Sequence, residues 1–214
     1  MPLAGMPLYE YVYRRCLQAE GFDGVIVATS GEPSDDQLYE NALKKGIPVF
    51  RGELEDVLKR YIDCAGAIGA DSIVRVCGDS PFVDVDLLEH MAGVFDDKGL
   101  DYIAPDKKNC VAGLDCEIVR LSALKRTAAE TFEKADHEHV TKFIRDNPEK
   151  FKTMLLRENI KIDEMIDLKL TVDEHSDYEL AVKIANATAD KYGRGTRFTT
   201  LDVFNIIKSF ELKK

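Results

Sequence analysis

The sequence is short of everything that marks a basic, disulfide-bonded or membrane-spanning protein. Among its 214 residues, 29 lysines and arginines face 39 aspartates and glutamates, a formal charge of −10. Such a surface repels polyanions except at a local basic site, so nucleic acid and anionic membrane are excluded as general partners. The five cysteines (Cys16, Cys64, Cys77, Cys110 and Cys116) form no Cys-x-x-Cys pair. They read as thiols in a reducing compartment, and with no secretory or spanning segment in view the expected location is the cytoplasm. No Gly-x-Ser-x-Gly motif or Cys/His pairing points to nucleophilic catalysis. His137 and His139 stand two apart and do not share a helix face, so they read as helix surface rather than a zinc site. There is no internal repeat, low-complexity tract or clear linker. With 45% hydrophobic residues, the expectation is one domain over 1–214 with a sizeable core.

What is present alternates between short β-branched runs and helical periods. A helix opens at Pro7 and runs through Leu17, while Met1 to Gly5 look too short for a strand with partners. Strands are expected at Gly24–Thr29, Pro48–Phe50, Ile73–Val76, Tyr102–Ala104, Leu114–Val119, Lys152–Leu156 and Leu168–Thr171. Helices are expected between them: one ending at Gly46, Leu54–Ile68, Val85 to near Gly99, Ser122–Thr131 and Asp136–Asn147. Two more follow, Ser176–Tyr192 and Leu201–Phe210. This alternation predicts an α/β fold, a mostly parallel sheet with helices on both faces.

The stretch Arg75-Val76-Cys77-Gly78-Asp79-Ser80-Pro81 is the most informative. A buried strand stops at a glycine and a proline, which leaves Asp79 at the carboxyl edge of the sheet, where open α/β sheets bind ligands. Asp173, in Leu170-Thr171-Val172-Asp173-Glu174, repeats the arrangement. Two carboxylates at neighbouring strand ends suit Mg²⁺, which takes one or two protein carboxylates and leaves its other positions to water and substrate oxygens. A plainer reading stays open: Asp79 caps its turn, Asp84 caps the next helix, and Asp173 or Ser176 caps the helix that follows. In Leu114–Val119 the alternation places Asp115 and Glu117 on one face.

Taken together, these stretches resemble the cytidylyltransferase family of spore coat polysaccharide biosynthesis protein F, related to the synthetases of CMP-sialic acid and CMP-3-deoxy-manno-octulosonate. The carriers, in one order over nearly the whole chain, begin with Val49-Phe50-Arg51-Gly52, Asp56-Val57-Leu58-Lys59-Arg60-Tyr61 and the Arg75–Pro81 stretch. Gly113-Leu114-Asp115-Cys116-Glu117, Glu138-His139-Val140-Thr141 with Ile144-Arg145, and Thr171-Val172-Asp173-Glu174 complete them. The resemblance implies a nucleotide-diphospho-sugar transferase-like fold and transfer of CMP from CTP to a sugar acid for surface polysaccharide biosynthesis. It implies Mg²⁺ on Asp79 and Asp173 as catalytic acids, nucleotide contacts from Arg51, Gly52, Arg75 and Gly78, and sugar contacts from Asp115 and Glu117. It also implies a homodimer built on an insertion at about 99–151.

The resemblance departs at the start. Family members begin with a strand and a loop of the type Gln-Ala-Arg-x-Gly-Ser-Thr-Arg-Leu-Pro-Gly-Lys, whereas this sequence opens Met1-Pro2-Leu3-Ala4-Gly5-Met6-Pro7-Leu8. The expectation is a sheet lacking the usual first strand, with two strands left short of a partner and weak CTP binding with little turnover. Two rival functions follow: a glycosyltransferase using a nucleotide sugar, or an inactive sugar- or partner-binding remnant.

Overall fold

Strand burial sorts the molecule into layers. In the computed structural model, which describes residues 2–157, 168–193 and 197–211, a four-stranded sheet divides two cores. Its strands are β5 (Ser72–Arg75), β6 (Tyr102–Pro105), β7 (Glu117–Arg120) and β8 (Thr153–Leu156), in the order β5-β7-β6-β8. The period of two sends Val74, Ile103 and Ile118 to one core and Ile73, Tyr102, Ala104 and Val119 to the other. The α/β class and the helices on both faces hold.

On the first side lie α1 (Leu8–Cys16), α4 (Val85–Lys98), α8 (His175–Tyr192) and α9 (Thr200–Glu211). Met91, Phe95, Ile184 and Val203 fill that core, and each is almost fully buried. Arg15 is buried among them, donating to the carbonyls of Val83 (3.1 Å) and Phe198 (2.9 Å) with its guanidinium 3.9 Å over the Phe198 ring. On the other side α3 (Val57–Ile68) and α5 (Leu121–Glu130) pack on the sheet, with α6 (Lys134–Glu138) and α7 (Lys142–Asp146) beside them. Asp84 caps α4 as expected: its Oδ1 accepts the Leu87 amide at 3.1 Å.

A separate parallel pair, β3 (Val27–Ser30) and β4 (Val49–Gly52), flanks α2 (Asp36–Lys44) and α3. Among the described residues β3 and β5 have one ladder partner each, as do β4 and β8. At that edge of the main sheet Ile73 and Val74 of β5 are only half-buried, whereas every residue of the inner strand β6 is buried.

The structure corrects several local readings. Residues before α1 do form strands, since Pro2–Leu3 (β1) and Met6–Pro7 (β2) pair antiparallel and bury Leu3 completely. The main sheet is mixed: β6 and β8 are parallel, but β7 runs antiparallel to both β5 and β6. The ladder of β7 starts only at Glu117, because Val111–Cys116 is spent on a turn. Leu168–Thr171 makes a single bridge, Lys169 to Ala112, rather than a strand. Asp136 lies inside α6 instead of capping it, and a break near Val140 divides the expected helix into α6 and α7. Ser122 is likewise not a cap, since Arg120 occupies that position.

Candidate active site

Three segments meet at the carboxyl edge of β5, held by main-chain contacts that side chains cannot easily disturb. The Val172 amide donates to the Asp79 carbonyl at 2.8 Å, the Leu170 amide to Ala112 at 2.9 Å, and the Asp84 amide to Leu114 at 2.9 Å. Gly113 makes this convergence possible. Its φ is +92°, and a Cβ there would lie 2.6 Å from the Leu170 carbonyl carbon. The two acids singled out from the sequence, Asp79 and Asp173, therefore sit on backbones one residue from a direct hydrogen bond.

Their side chains are differently engaged. Asp79 is half-buried and accepts the Ser80 hydroxyl at 3.0 Å. Asp173 is exposed and accepts Lys169 Nζ at 2.9 Å and the Thr171 hydroxyl at 2.8 Å. Those two donors, Lys169 first, hold its carboxyl below the usual range. Neither acid begins a helix: Glu174 caps α8 in a capping box with Asp177, so the capping explanation of Asp173 fails. Carboxylate and hydroxyl oxygens are the ligand types a hard divalent ion such as Mg²⁺ takes, although Asp173 is here paired with Lys169. Among the described residues no cluster of three or more acids, histidines or cysteines competes as a metal site.

Asp115 and Glu117 do not share a strand face. Asp115 lies in the turn before β7 and accepts the Gly113 amide at 3.1 Å, which stiffens that turn. Glu117 is buried at 8% exposure under four partners. Its Oε1 accepts the Tyr102 hydroxyl at 2.7 Å and Arg145 Nη1 at 2.9 Å, its Oε2 accepts Arg75 Nη1 at 2.9 Å, and the Thr141 hydroxyl stands 3.0 Å from both oxygens. Burial alone pushes the Glu117 pKa up, but the Tyr102 hydroxyl and the two guanidiniums reverse this and hold it below the usual value. Burial and the adjacent Glu117 charge raise Tyr102. Arg75, Asp79, Asp115 and Glu117 all act electrostatically on Cys77, so the structure gathers them around one strand exit.

Arg51 and Gly52 end β4, apart from that cluster. All three arms of Arg51 are committed to the loop after β3: Nε to the Ser30 carbonyl (3.0 Å), Nη1 to Asp36 (2.7 Å) and Nη2 to the Glu32 carbonyl (2.8 Å). Gly52 is required by packing, because a Cβ would lie 2.8 Å from Arg60 Cγ. Gly78 has no such constraint, with nothing within 4 Å of its Cβ position. Sequence reasoning missed Tyr102 and Lys169, and gave Thr141 and Arg145 no role. The signal for Arg145 was indirect: an acid inside an otherwise apolar strand needs a cation, and only the fold says which.

Comparisons with known proteins identify the family and the fold. A family model described as cytidylyltransferase matches residues 1–198. The chain is 32% identical over 185 residues to the spore coat polysaccharide biosynthesis protein SpsF of Bacillus subtilis, covering 83% of this chain and 75% of that protein. Among solved structures, a cytidylyltransferase from Leptospira borgpetersenii superposes with a TM-score of 0.85 at 26% identity, covering 99% of this chain and 87% of that one. The fold is also shared, at a TM-score of 0.62 and 16% identity over 89% and 91% of the two chains, with CMP:2-keto-3-deoxy-manno-octonic acid synthetase in complex with CTP. The chain belongs to the cytidylyltransferase family and is a nucleotidyltransferase by that membership.

Proposed function

We propose that this nucleotidyltransferase moves CMP from CTP to the anomeric hydroxyl of a sugar acid, for a surface polysaccharide. The observation that best supports the reading is the backbone hydrogen bond from Val172 to Asp79, next in sequence to Asp173. The name of the SpsF relative supports a polysaccharide destination. A 32% match over 88 residues, 40% of this chain, to a 3-deoxy-manno-octulosonate cytidylyltransferase of Pelobacter propionicus supports a sugar acid as acceptor.

In this reading Asp79 and Asp173 would hold Mg²⁺, the ion replacing the Lys169 contact on Asp173. It would supply charge neutralisation at the phosphates. The chain itself aligns the reactants. The sugar hydroxyl attacks the α-phosphorus in line and releases its proton to solvent, the P–O bond to the β-phosphate breaks, and pyrophosphate leaves with its electron pair. Gly78 leaves ligand atoms room against bare backbone, and Asp115 faces the sugar from a turn fixed by Gly113. Arg75 supplies a fixed positive charge near the transferring group. Because Arg51 is already committed to Ser30, Glu32 and Asp36, it contributes little to a triphosphate, which supports weak binding of CTP by this chain.

In this reading the protein acts as a homodimer through the segment at about 99–151, on which Phe132 is 89% exposed. Among the described residues no helix is long and apolar enough to cross a membrane. The five cysteines are free, which supports a cytoplasmic setting. Formation of a CMP-sugar with stoichiometric pyrophosphate from CTP, Mg²⁺ and a sugar acid tests the reaction. Glycosyl transfer from an added nucleotide sugar, without pyrophosphate, would instead identify a glycosyltransferase.

A further inference from the structure

Lys169 stands between two acids on the segment that leads into α8. Its Nζ lies 2.9 Å from Asp173 Oδ2 and 2.6 Å from Asp177 Oδ2. The Thr171 hydroxyl donates to the same Asp173 oxygen at 2.8 Å. The backbone on either side of this lysine is fixed. Lys169 forms the bridge to Ala112, the Leu170 amide donates to the Ala112 carbonyl at 2.9 Å, and Asp177 is held in the first turn of α8 by accepting the amides of Asp173 and Glu174. The lysine side chain itself has room to move, because it is 45% exposed and that of Asp173 is 50% exposed, whereas Asp177 is only 15% exposed. Leaving Asp173 would not strand the ammonium, since the more buried carboxylate still holds it.

We propose that Lys169 is a built-in counter-ion that competes with the divalent ion for Asp173 and withdraws onto Asp177 when the ion binds. The inference rests on the reading of Asp79 and Asp173 as the metal ligands. One carboxylate oxygen does not serve an ammonium and a divalent cation at once, because the two cations repel each other at contact distance. Lys169 therefore sets a threshold. At low ion concentration it neutralises Asp173, and above the threshold it gives that carboxylate up. The exchange costs little: an exposed ion pair is worth at most about 1 kcal/mol, and the contact to Asp177 is kept. Asp79 and Asp173 alone leave most positions of such an ion to other oxygens, so Lys169 yields most readily when nucleotide phosphates complete the set. The free protein is thereby kept weak for the bare ion.

The test is Mn²⁺ binding to the full chain without nucleotide, read as loss of the free-ion EPR signal at constant pH and ionic strength. Lys169→Met is expected to bind Mn²⁺ about fivefold or more tighter than wild type, through removal of a positive charge beside the ion. Lys169→Arg, which keeps the charge, should stay near wild type. Lys44→Met, on α2 and paired with Glu40, changes the net charge equally and serves as the control that leaves affinity unchanged. Asp173→Asn in the Lys169→Met background should abolish the gain, which ties it to that carboxylate. A Lys169→Met chain that binds Mn²⁺ no more tightly than wild type overturns the proposal, and if its urea midpoint is also lower the lysine only fastens the loop. Equal tightening in Lys44→Met or Lys169→Arg, or a gain that survives Asp173→Asn, overturns it as well. Weaker Mn²⁺ binding in Asp173→Asn with no effect of Lys169→Met would leave the metal ligands standing and remove the competition. Tighter binding by Lys169→Met without CMP transfer by wild type would do the opposite, sinking the proposed reaction alone.

Discussion

Gly113 and Glu117, four residues apart, hold the candidate site together by different physics. At Gly113 the constraint is steric: a methyl group would have to enter the Leu170–Thr171 backbone while adopting a φ of +92°. Gly113→Ala is expected to destabilise the protein by about 2–4 kcal/mol, from strain plus overpacking, read as a lower urea midpoint with unchanged slope. A variant with the wild-type midpoint would contradict the close approach. At Glu117 the constraint is electrostatic. Its pKa is lowered in the fold, so its contribution is complete above the unfolded carboxyl value of about 4 and disappears as pH falls through the folded value. Glu117→Gln should cost about 3 kcal/mol at neutral pH, and the gap to wild type should narrow below about pH 4. A gap independent of pH would show that the charge of Glu117 plays no part. Asp79 was legible in the sequence because glycine and proline punctuate a β-branched run. The burial of Glu117 was not, because Tyr102, Thr141 and Arg145 lie 15, 24 and 28 residues away along the chain.

Among the elements, α6 depends most on a single titrating contact. His137 Nδ1 lies 2.8 Å from the Asp56 carboxylate at the start of α3, and its Nε2 lies 3.0 Å from the Thr131 carbonyl. The Thr131 carbonyl first, and then Asp56, raise the His137 pKa against the opposing cost of burial. A histidine raised in this way stabilises the fold fully below its ordinary value of about 6.5 and loses that contribution as pH rises through the folded value. Amide exchange in α6, corrected for intrinsic rates, should be faster at about pH 9 than at about pH 6, and His137→Asn should remove the difference. Equal protection at both pH values would count against the contact. Element type was readable from hydrophobic period for α3, α4, α8 and the strands β5 and β6. The direction of β7 was not, because an alternating strand reads the same in either direction, and the turn at Val111–Cys116 consumed the residues that continued the alternation. The hairpin of β1 and β2 also escaped notice: two residues per strand carry no period, and Leu3 earns its place only by burial against α8 and α1.

At the scale of the molecule, the predicted assembly and the predicted chemistry are separable. Light scattering at micromolar concentration should give twice the 24.0 kDa chain mass, and Phe132→Ser should return it to that of one chain. A monomeric wild type would remove the dimer without touching the site. The two-faced α/β architecture could be read from the alternation of strand and helix periods, but of the two strand exits read from the sequence only that of β5 exists, because Leu168–Thr171 makes a single bridge. The stitching of the two segments through main-chain hydrogen bonds belongs to the folded chain alone. The measurement closest to the central claim is mass-spectrometric detection of CMP-sugar from CTP, Mg²⁺ and sugar acids, with wild type, Asp79→Asn and Asp173→Asn in parallel. The account predicts slow, metal-dependent product from wild type and a loss of about a hundredfold or more in each variant. No product from wild type, or as much from Asp79→Asn as from wild type, would contradict it.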